Sequence, residues 1–314
     1  MVGEHFECVN CNLCKADDCE KISSVGQFGL PAHVVVCRKC GLTYLNPRWT
    51  QERYLDFYTN EYDDYHRPNI NTAPIETGEP IFSRMKDLEL GGHRSGLTSP
   101  STILDIGSGA GANLNFFKRK FPESTLFAIE PSDNAIRILK GNGVEILARD
   151  IDSNWHEKHE NKFDLIVMRH VLEHFSDPVG TLKKVRSTLT ENGILYIGVP
   201  NNMKPKGDLE SFWFRAVHTY YYGPETLGAI IRKSGMSPIQ IQEGDHFSPN
   251  ELFSFVSKGN QPLPVEFDSL VFDKQMRVFA EHKRQQTSFI RKLKNGLGKL
   301  RHKLMVSSSS KKDS

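Results

Sequence analysis

Residues 101–112 read STILDIGSGAGA. An apolar, β-branched run that breaks into alternating glycines predicts a buried strand ending in a sharp turn. Ala112 to Lys120 then predicts a short helix. Glycine at 107, 109 and 111 lets the backbone turn tightly and approach a ligand where a side chain would clash.

The same alternation continues downstream. TLFAIEPS (125–132) predicts a second strand, with a helix from Asp133 to Lys140. VEILARD (144–150) is a third strand and FDLIVMRH (163–170) a fourth, followed by a helix from Pro178 to Leu189. GILYIGVP (193–200) is a fifth strand. PETLGAIIRKSG (224–235) is a helix with Pro in its first turn and Gly at its end. MSPIQIQEG and LFSFVSKG complete the set. Strands alternating with helices predict a parallel sheet covered on both faces, with the ligand at the carboxyl ends of the strands near the switch in strand order.

The glycines leave the ligand open. Gly107-x-Gly109-x-x-Ala112 also fits the dinucleotide fingerprint, and Glu130 suits a ribose in either case. Asp105 argues against a pyrophosphate, which it would repel, and for a cationic amino acid moiety. Asp150-Ile151, closing the third strand, offers a carboxylate to an adenine amino group.

The chain has 314 residues, 38% hydrophobic and 25% charged, which suits a large globular domain plus a small one. No apolar run is long enough to cross a bilayer, and MVGEHFECVN lacks the pattern of a secretory signal, so a cytoplasmic protein is expected. From His282 to Ser314 there are ten Lys/Arg and one acid, against a net charge of +2 for the chain. The mildly acidic body does not look like a nucleic-acid binder. Ile290, Leu293, Leu297, Leu300 and Leu304 place an apolar stripe on this basic helix. It fits peripheral contact with an anionic membrane, or packing on the body.

All six cysteines lie in the first 40 residues. Cys11/Cys14 and Cys37/Cys40 are two C-x2-C pairs, each able to present two thiolates to one ion. Together they make the ligand set of a closed structural Zn2+ site in a zinc-ribbon-like module. Cys8/Cys11 is an alternative pair. Cys11/Cys14 is preferred because Cys14-Lys15 and Cys40-Gly41 give similar knuckles. Thr50 is expected to cap a helix through Tyr54, Leu55 and Tyr58. Residues 68–80, with three prolines, are expected to form a loop.

The motif D-x-G-x-G-x-G at Asp105–Gly111, the acid Glu130, Asp150-Ile151 and FDLIVMRHVLEHFSDP (163–178) resemble class I S-adenosylmethionine-dependent methyltransferases. The two cysteine pairs, followed by GLTYLNPR, are similar to a narrower group with zinc modules. Members of that group act in polysaccharide or nucleotide-sugar pathways. The resemblance implies a Rossmann-like α/β fold with a seven-stranded sheet. It divides the chain into a zinc-ribbon-like module (1–60), a linker with a helical connection (61–99), a methyltransferase domain (100–260) and a basic helix with a tail (261–314).

It also implies roles. Asp105, Gly107, Ser108, Gly109 and Gly111 would cradle the methionine part of S-adenosyl-L-methionine. Glu130 would bind the ribose hydroxyls, with Pro131 turning the chain, and Asp150 and Ile151 would hold the adenine. Arg169 and His170 would wall the pocket near the sulfonium. His218, in a segment like the family's H-x-x-Y-F stretch, and His174 are candidate catalytic residues, each with an alternative structural reading. Tyr62, Tyr222 and Asn201 are candidate contacts to a small-molecule or glycan acceptor. Against these stand a nicotinamide-dependent oxidoreductase, an RNA methyltransferase and a non-catalytic cofactor-binding protein.

Overall fold

The computed structural model describes residues 5–61, 65, 78–90, 99–259 and 265–288. The chain opens with strands β1 (Phe6–Glu7), β2 (Cys19–Val25), β3 (Pro31–Cys37), β4 (Thr43–Leu45) and β5 (Arg48–Trp49), then helix α1 (Gln51–Asn60). The Thr50 hydroxyl accepts from the Arg53 amide at 3.3 Å, the expected cap of α1. Helix α2 (Gly78–Leu90) begins inside the stretch expected to be a loop. Pro80 falls in its first turn, where the missing N–H has no helical partner to lose.

The large sheet follows. Strand β6 (Thr102–Ile106) leads to α3 (Ala112–Lys120), β7 (Thr125–Ile129) to α4 (Asp133–Gly141), and then come β8 (Glu145–Ala148) and β9 (Phe163–Arg169). Helix α5 (Pro178–Thr188), capped by Asp177 through the Gly180 amide, precedes β10 (Leu189–Pro200). After β11 (Tyr220–Tyr221) and α6 (Pro224–Lys233) the chain closes the sheet with β12 (Ser237–Glu243) and β13 (Glu251–Ser257). The order is β12-β13-β10-β9-β6-β7-β8. The run β10, β9, β6, β7, β8 is parallel, as expected. Strand β13 is antiparallel to both its neighbours, so the sheet is mixed. This is the Rossmann-like methyltransferase arrangement. The central strands are sealed: Ile103, Leu104, Leu165, Ile166, Val167, Leu195 and Ile197 have no exposed surface. Burying each such side chain contributes about 1.5–3 kcal/mol.

The N-terminal strands do not stand apart. Strands β2, β3 and β4 form a sheet whose fourth member is β11, which lies more than 170 residues downstream of β4 (Tyr220 pairs with Tyr44). Cys11, Leu13, Cys37, Cys40 and Tyr44 belong to the same continuous core as Leu104, Ile106, Tyr222 and Leu227. The expected boundary at residue 60 is therefore not a break in packing.

Residues 270–288 are helical, numbered α7, and their first turns pack on the body. Phe279 meets Phe214 edge-on at 5.6 Å, and the Gln275 amide donates to the Asn202 carbonyl. The apolar stripe from Ile290 to Leu304, with the membrane contact expected of it, lies outside the described residues. No helix among those residues is long and apolar enough to cross a membrane.

Candidate active site and cysteine cluster

The carboxyl ends of β6, β7 and β8 lie side by side and carry the first half of the site. Gly107, Gly109 and Gly111 all adopt left-handed φ values, +70°, +54° and +83°. A Cβ on Gly107 would come within 2.2 Å of Val171 Cγ1, so the position has neither the space nor the backbone for another residue. Glu130, at the end of β7, is buried. Its Oε2 accepts from the Gly109 amide at 2.7 Å and its Oε1 from the Ser132 amide at 3.0 Å. A carboxylate oxygen can accept more than one hydrogen bond, so the group suits a pair of hydroxyls. The Ser108 hydroxyl is buried in this loop with no hydrogen-bond partner. An orphaned hydroxyl beside left-handed glycines and an acid fits a polar ligand on the loop. Asp150 and Ile151 follow β8. Asp150 is exposed and accepts from the Asp152 amide at 2.8 Å, while Ile151 is nearly buried.

Across the switch in strand order, at the ends of β9 and β10, lies a cavity of about 250 Å3. It is lined by His170, Glu173, His174, Pro200, Phe212, Trp213, Arg215 and His218. The two halves meet where Val171 touches Gly107. A larger space, about 420 Å3, opens between α6, residues 265–274 and the cysteine knuckles. None of its lining residues belongs to the large sheet, and the smaller cavity, at the strand ends, is the candidate site.

His174 is fixed by distant partners, not local ones. Its Nδ1 lies 2.9 Å from both Tyr58 Oη and the Val217 carbonyl. Its ring stands perpendicular to that of His218, 4.8 Å between centroids. Ligand atoms of Glu173, His174 and His218 all fall within 4.8 Å of one another. Burial lowers the His174 pKa from its ordinary value, favouring the neutral ring. His170, at a left-handed φ of +55°, lies 3.7 Å from Glu173 and 3.3 Å from Glu251. Burial alone would lower its pKa, but these two carboxylates outweigh it and raise it to about 9.

Several expectations need correction. Asp105 does not face a ligand openly: it is 1% exposed and takes a hydrogen bond from Asn113 at 3.1 Å. Burial raises its carboxyl to about 7, which weakens the repulsion expected of it. Arg169, expected near the sulfonium, lies within electrostatic reach of Asp105 at the donor loop. Its Nε is drawn 2.8 Å from Glu251 on β13. Tyr222 and Asn201 are fully buried, so neither touches an acceptor. Tyr222 packs in the core beneath Leu172, and Asn201 donates to Glu243 at 2.9 Å while its Oδ1 accepts from the Met203 amide. Tyr62 lies outside the described residues; Tyr58 of α1 reaches the site, its Oη 2.9 Å from His174 Nδ1. Pro131 follows Glu130 at the entry to α4.

The preferred cysteine register is the one observed. The Sγ atoms of Cys11, Cys14, Cys37 and Cys40 all lie within 4.8 Å of one another, with Cys11–Cys40 at 3.5 Å and Cys14–Cys37 at 3.4 Å. A tetrahedral zinc site with 2.3 Å bonds has sulfur–sulfur edges of about 3.8 Å, so the cluster fits the ion. Both knuckles close alike. The Lys15 amide donates to the Cys11 carbonyl and the Gly41 amide to the Cys37 carbonyl, each at 2.9 Å, with Lys15 and Gly41 left-handed. Cys8 is exposed and apart.

The sequence reading missed a buried ion network. Arg84, on α2, pairs with Glu251 and Asp245, each at 2.6 Å, and with Tyr196. Burial would raise the Glu251 pKa, but His170, Arg169 and Arg84 hold it down at about 2. No local signal marks such pairs, since Arg84 and Glu251 are 167 positions apart.

Comparison with known proteins agrees with this geometry. A family model for the methyltransferase domain matches residues 84–241. The chain is 22% identical over 223 residues to the C-methyltransferase NovU of Streptomyces niveus, covering 70% of this chain and 50% of the relative. It is 31% identical over 108 residues to the malonyl-(acyl-carrier protein) O-methyltransferase of Halalkalibacterium halodurans, covering 32% of this chain and 40% of that one. It thus spans half or less of the length of these curated relatives. Among solved structures, it is similar in fold to the Burkholderia thailandensis 1,6-didemethyltoxoflavin-N1-methyltransferase with bound 1,6-didemethyltoxoflavin and S-adenosylhomocysteine. The TM-score is 0.51 at 17% identity, over 77% of this chain and 100% of that one.

Proposed function

The chain belongs to the methyltransferase-domain family, and on that premise we propose that it moves a methyl group from S-adenosyl-L-methionine to a small-molecule or glycan-linked acceptor, a sugar or nucleotide sugar before others. The observation that carries this reading is the junction at Gly107 and Val171. There a glycine loop with a buried acid abuts a separate histidine-lined cavity.

Bound at the loop, S-adenosyl-L-methionine would supply an activated methyl carbon. The chain's own residues then have positional work. Glu130 accepts the ribose hydroxyls, the Ser108 hydroxyl gains its missing partner, and Asp150 and Ile151 frame the adenine. His170 closes the boundary between loop and cavity. His218 takes the proton of a hydroxyl or carbon acid in the cavity, and His174 buttresses it from a position fixed by Tyr58 and Val217. The cysteine cluster holds a structural Zn2+: four thiolates fill its coordination and leave no open position for substrate. The sugar preference rests on the joining of a four-cysteine module to this sheet, the arrangement of the polysaccharide and nucleotide-sugar methyltransferases it resembles.

The reading is tested by assaying methyl transfer from labelled donor to a panel of nucleotide sugars and glycan fragments, with wild type and His218→Asn. Turnover lowered about 100-fold or more in the variant, at unchanged donor affinity, is expected of a general base. Equal turnover would remove His218 from that role. No turnover on any acceptor by donor-binding protein would count against the sugar preference.

A further inference from the structure

Arg215 sits one turn before His218, with the His218 amide donating to its carbonyl at 3.1 Å. Its backbone is held on both sides by one buried phenol. The Arg215 amide donates to Tyr221 Oη at 2.8 Å, and that hydroxyl lies 3.2 Å from the Arg215 carbonyl. The residue lines the cavity beside Trp213 and His218. Its charge acts inward: it adds to burial in lowering His174, and it opposes the effect of burial on Tyr221.

The other charges around the cavity have ionic neighbours, although Glu173 Oε2 is buried without a hydrogen-bond partner. His170 lies between Glu173 and Glu251, and Arg169 and Arg84 share Glu251. Among the described residues no carboxylate forms an ion pair with Arg215. A guanidinium is a rigid planar fork that matches a phosphate or carboxylate with two parallel hydrogen bonds. Glu173 lines the same cavity but lies 3.7 Å from His170, so the Arg215 cation is left in excess there and raises the local concentration of anions.

We propose that Arg215 forms an oxyanion subsite that takes a phosphate or carboxylate group of the acceptor. The inference rests on reading this cavity as the acceptor site. It adds a specificity: the acceptor is an anion, gripped one turn from His218, so that fixing its charged group also aims its reactive atom.

The test is titration of protein saturated with S-adenosylhomocysteine. The probes are uridine diphosphate, glucose 1-phosphate and glucuronate, with uridine and glucose as their neutral counterparts. Wild type is compared with Arg215→Met and Arg215→Lys. At least one anion should bind more tightly than its neutral counterpart, with an affinity that falls as salt is raised. Arg215→Met should weaken it about ten- to a hundredfold, and Arg215→Lys should restore part, while S-adenosylhomocysteine affinity stays unchanged. The phosphate and glucuronate arms tell the two anion sources apart. The proposal is overturned if no anion binds, if neutral counterparts bind as tightly, or if Arg215→Met leaves anion affinity intact. Should Arg215→Met fold poorly, the wild-type salt dependence and the lysine variant still decide. Failure of wild type to bind S-adenosylhomocysteine would instead sink the donor-site reading.

Discussion

Asp105 is the residue whose chemistry departs furthest from its sequence context. At the end of β6 it is a buried carboxyl that accepts a hydrogen bond from the Asn113 side-chain amide. Burial raises its pKa from 3.8 to about 7. A raised carboxyl binds its proton more tightly in the folded state, so its contribution is fully present below pH 3.8 and is lost as the pH rises to 7. Asp105→Asn keeps an acceptor for Asn113 and removes the charge. Melting temperature should therefore rise relative to wild type between pH 4 and 7, and the gain should persist at pH 8. A variant less stable than wild type at pH 8 would mean that Asp105 is ionised there at a profit, through a partner not yet seen.

Among the elements, helix α2 is tied to β10 and β13 by buried charge as well as by the apolar packing of Ile81 and Met85. Arg84 is nearly inaccessible and bonds Asp245, Glu251 and Tyr196 together. Arg84→Met leaves buried carboxylates short of a partner, which typically costs about 3–5 kcal/mol. Urea unfolding should show a loss of that order. A loss under about 0.5 kcal/mol would place the network among surface pairs of little consequence.

Elements also mark what the sequence could and could not reveal. The glycine loop, Glu130 and the cysteine register were legible because each is local: a few residues, fixed spacing, one chemical reason. Strand β11 was not. Tyr222, just after it, reads as a candidate acceptor contact because aromatic residues near a ligand end look alike whether they face a cavity or complete a sheet. Only the pairing with β4, and the isolated bridge between Asn201 and Tyr222, decides it. Tyr58 and the Arg84 network escaped for the same reason, since their partners lie more than 100 positions away.

For the molecule as a whole, that shared sheet joins the cysteine cluster proposed to hold Zn2+ to the body that carries the large sheet. The Asn12 amide donates to Asp177, the cap of α5, at 3.0 Å, and Lys233 of α6 donates to the Leu13 carbonyl within the first knuckle. Removing the ion, by chelator or by Cys37→Ser, should therefore lower the melting temperature of the whole chain in one transition and weaken donor binding with it. Two separate transitions, with donor binding spared, would show that the module folds by itself.

The central claim is that the loop from Asp105 to Gly111, with Glu130, binds S-adenosyl-L-methionine. Calorimetric titration of the metal-replete protein with S-adenosyl-L-methionine and, separately, with NADH tests it most directly. Micromolar binding of the first alone, lost in Glu130→Ala, is the predicted result. No binding of S-adenosyl-L-methionine by folded protein, or NADH taken up in its place, would contradict it.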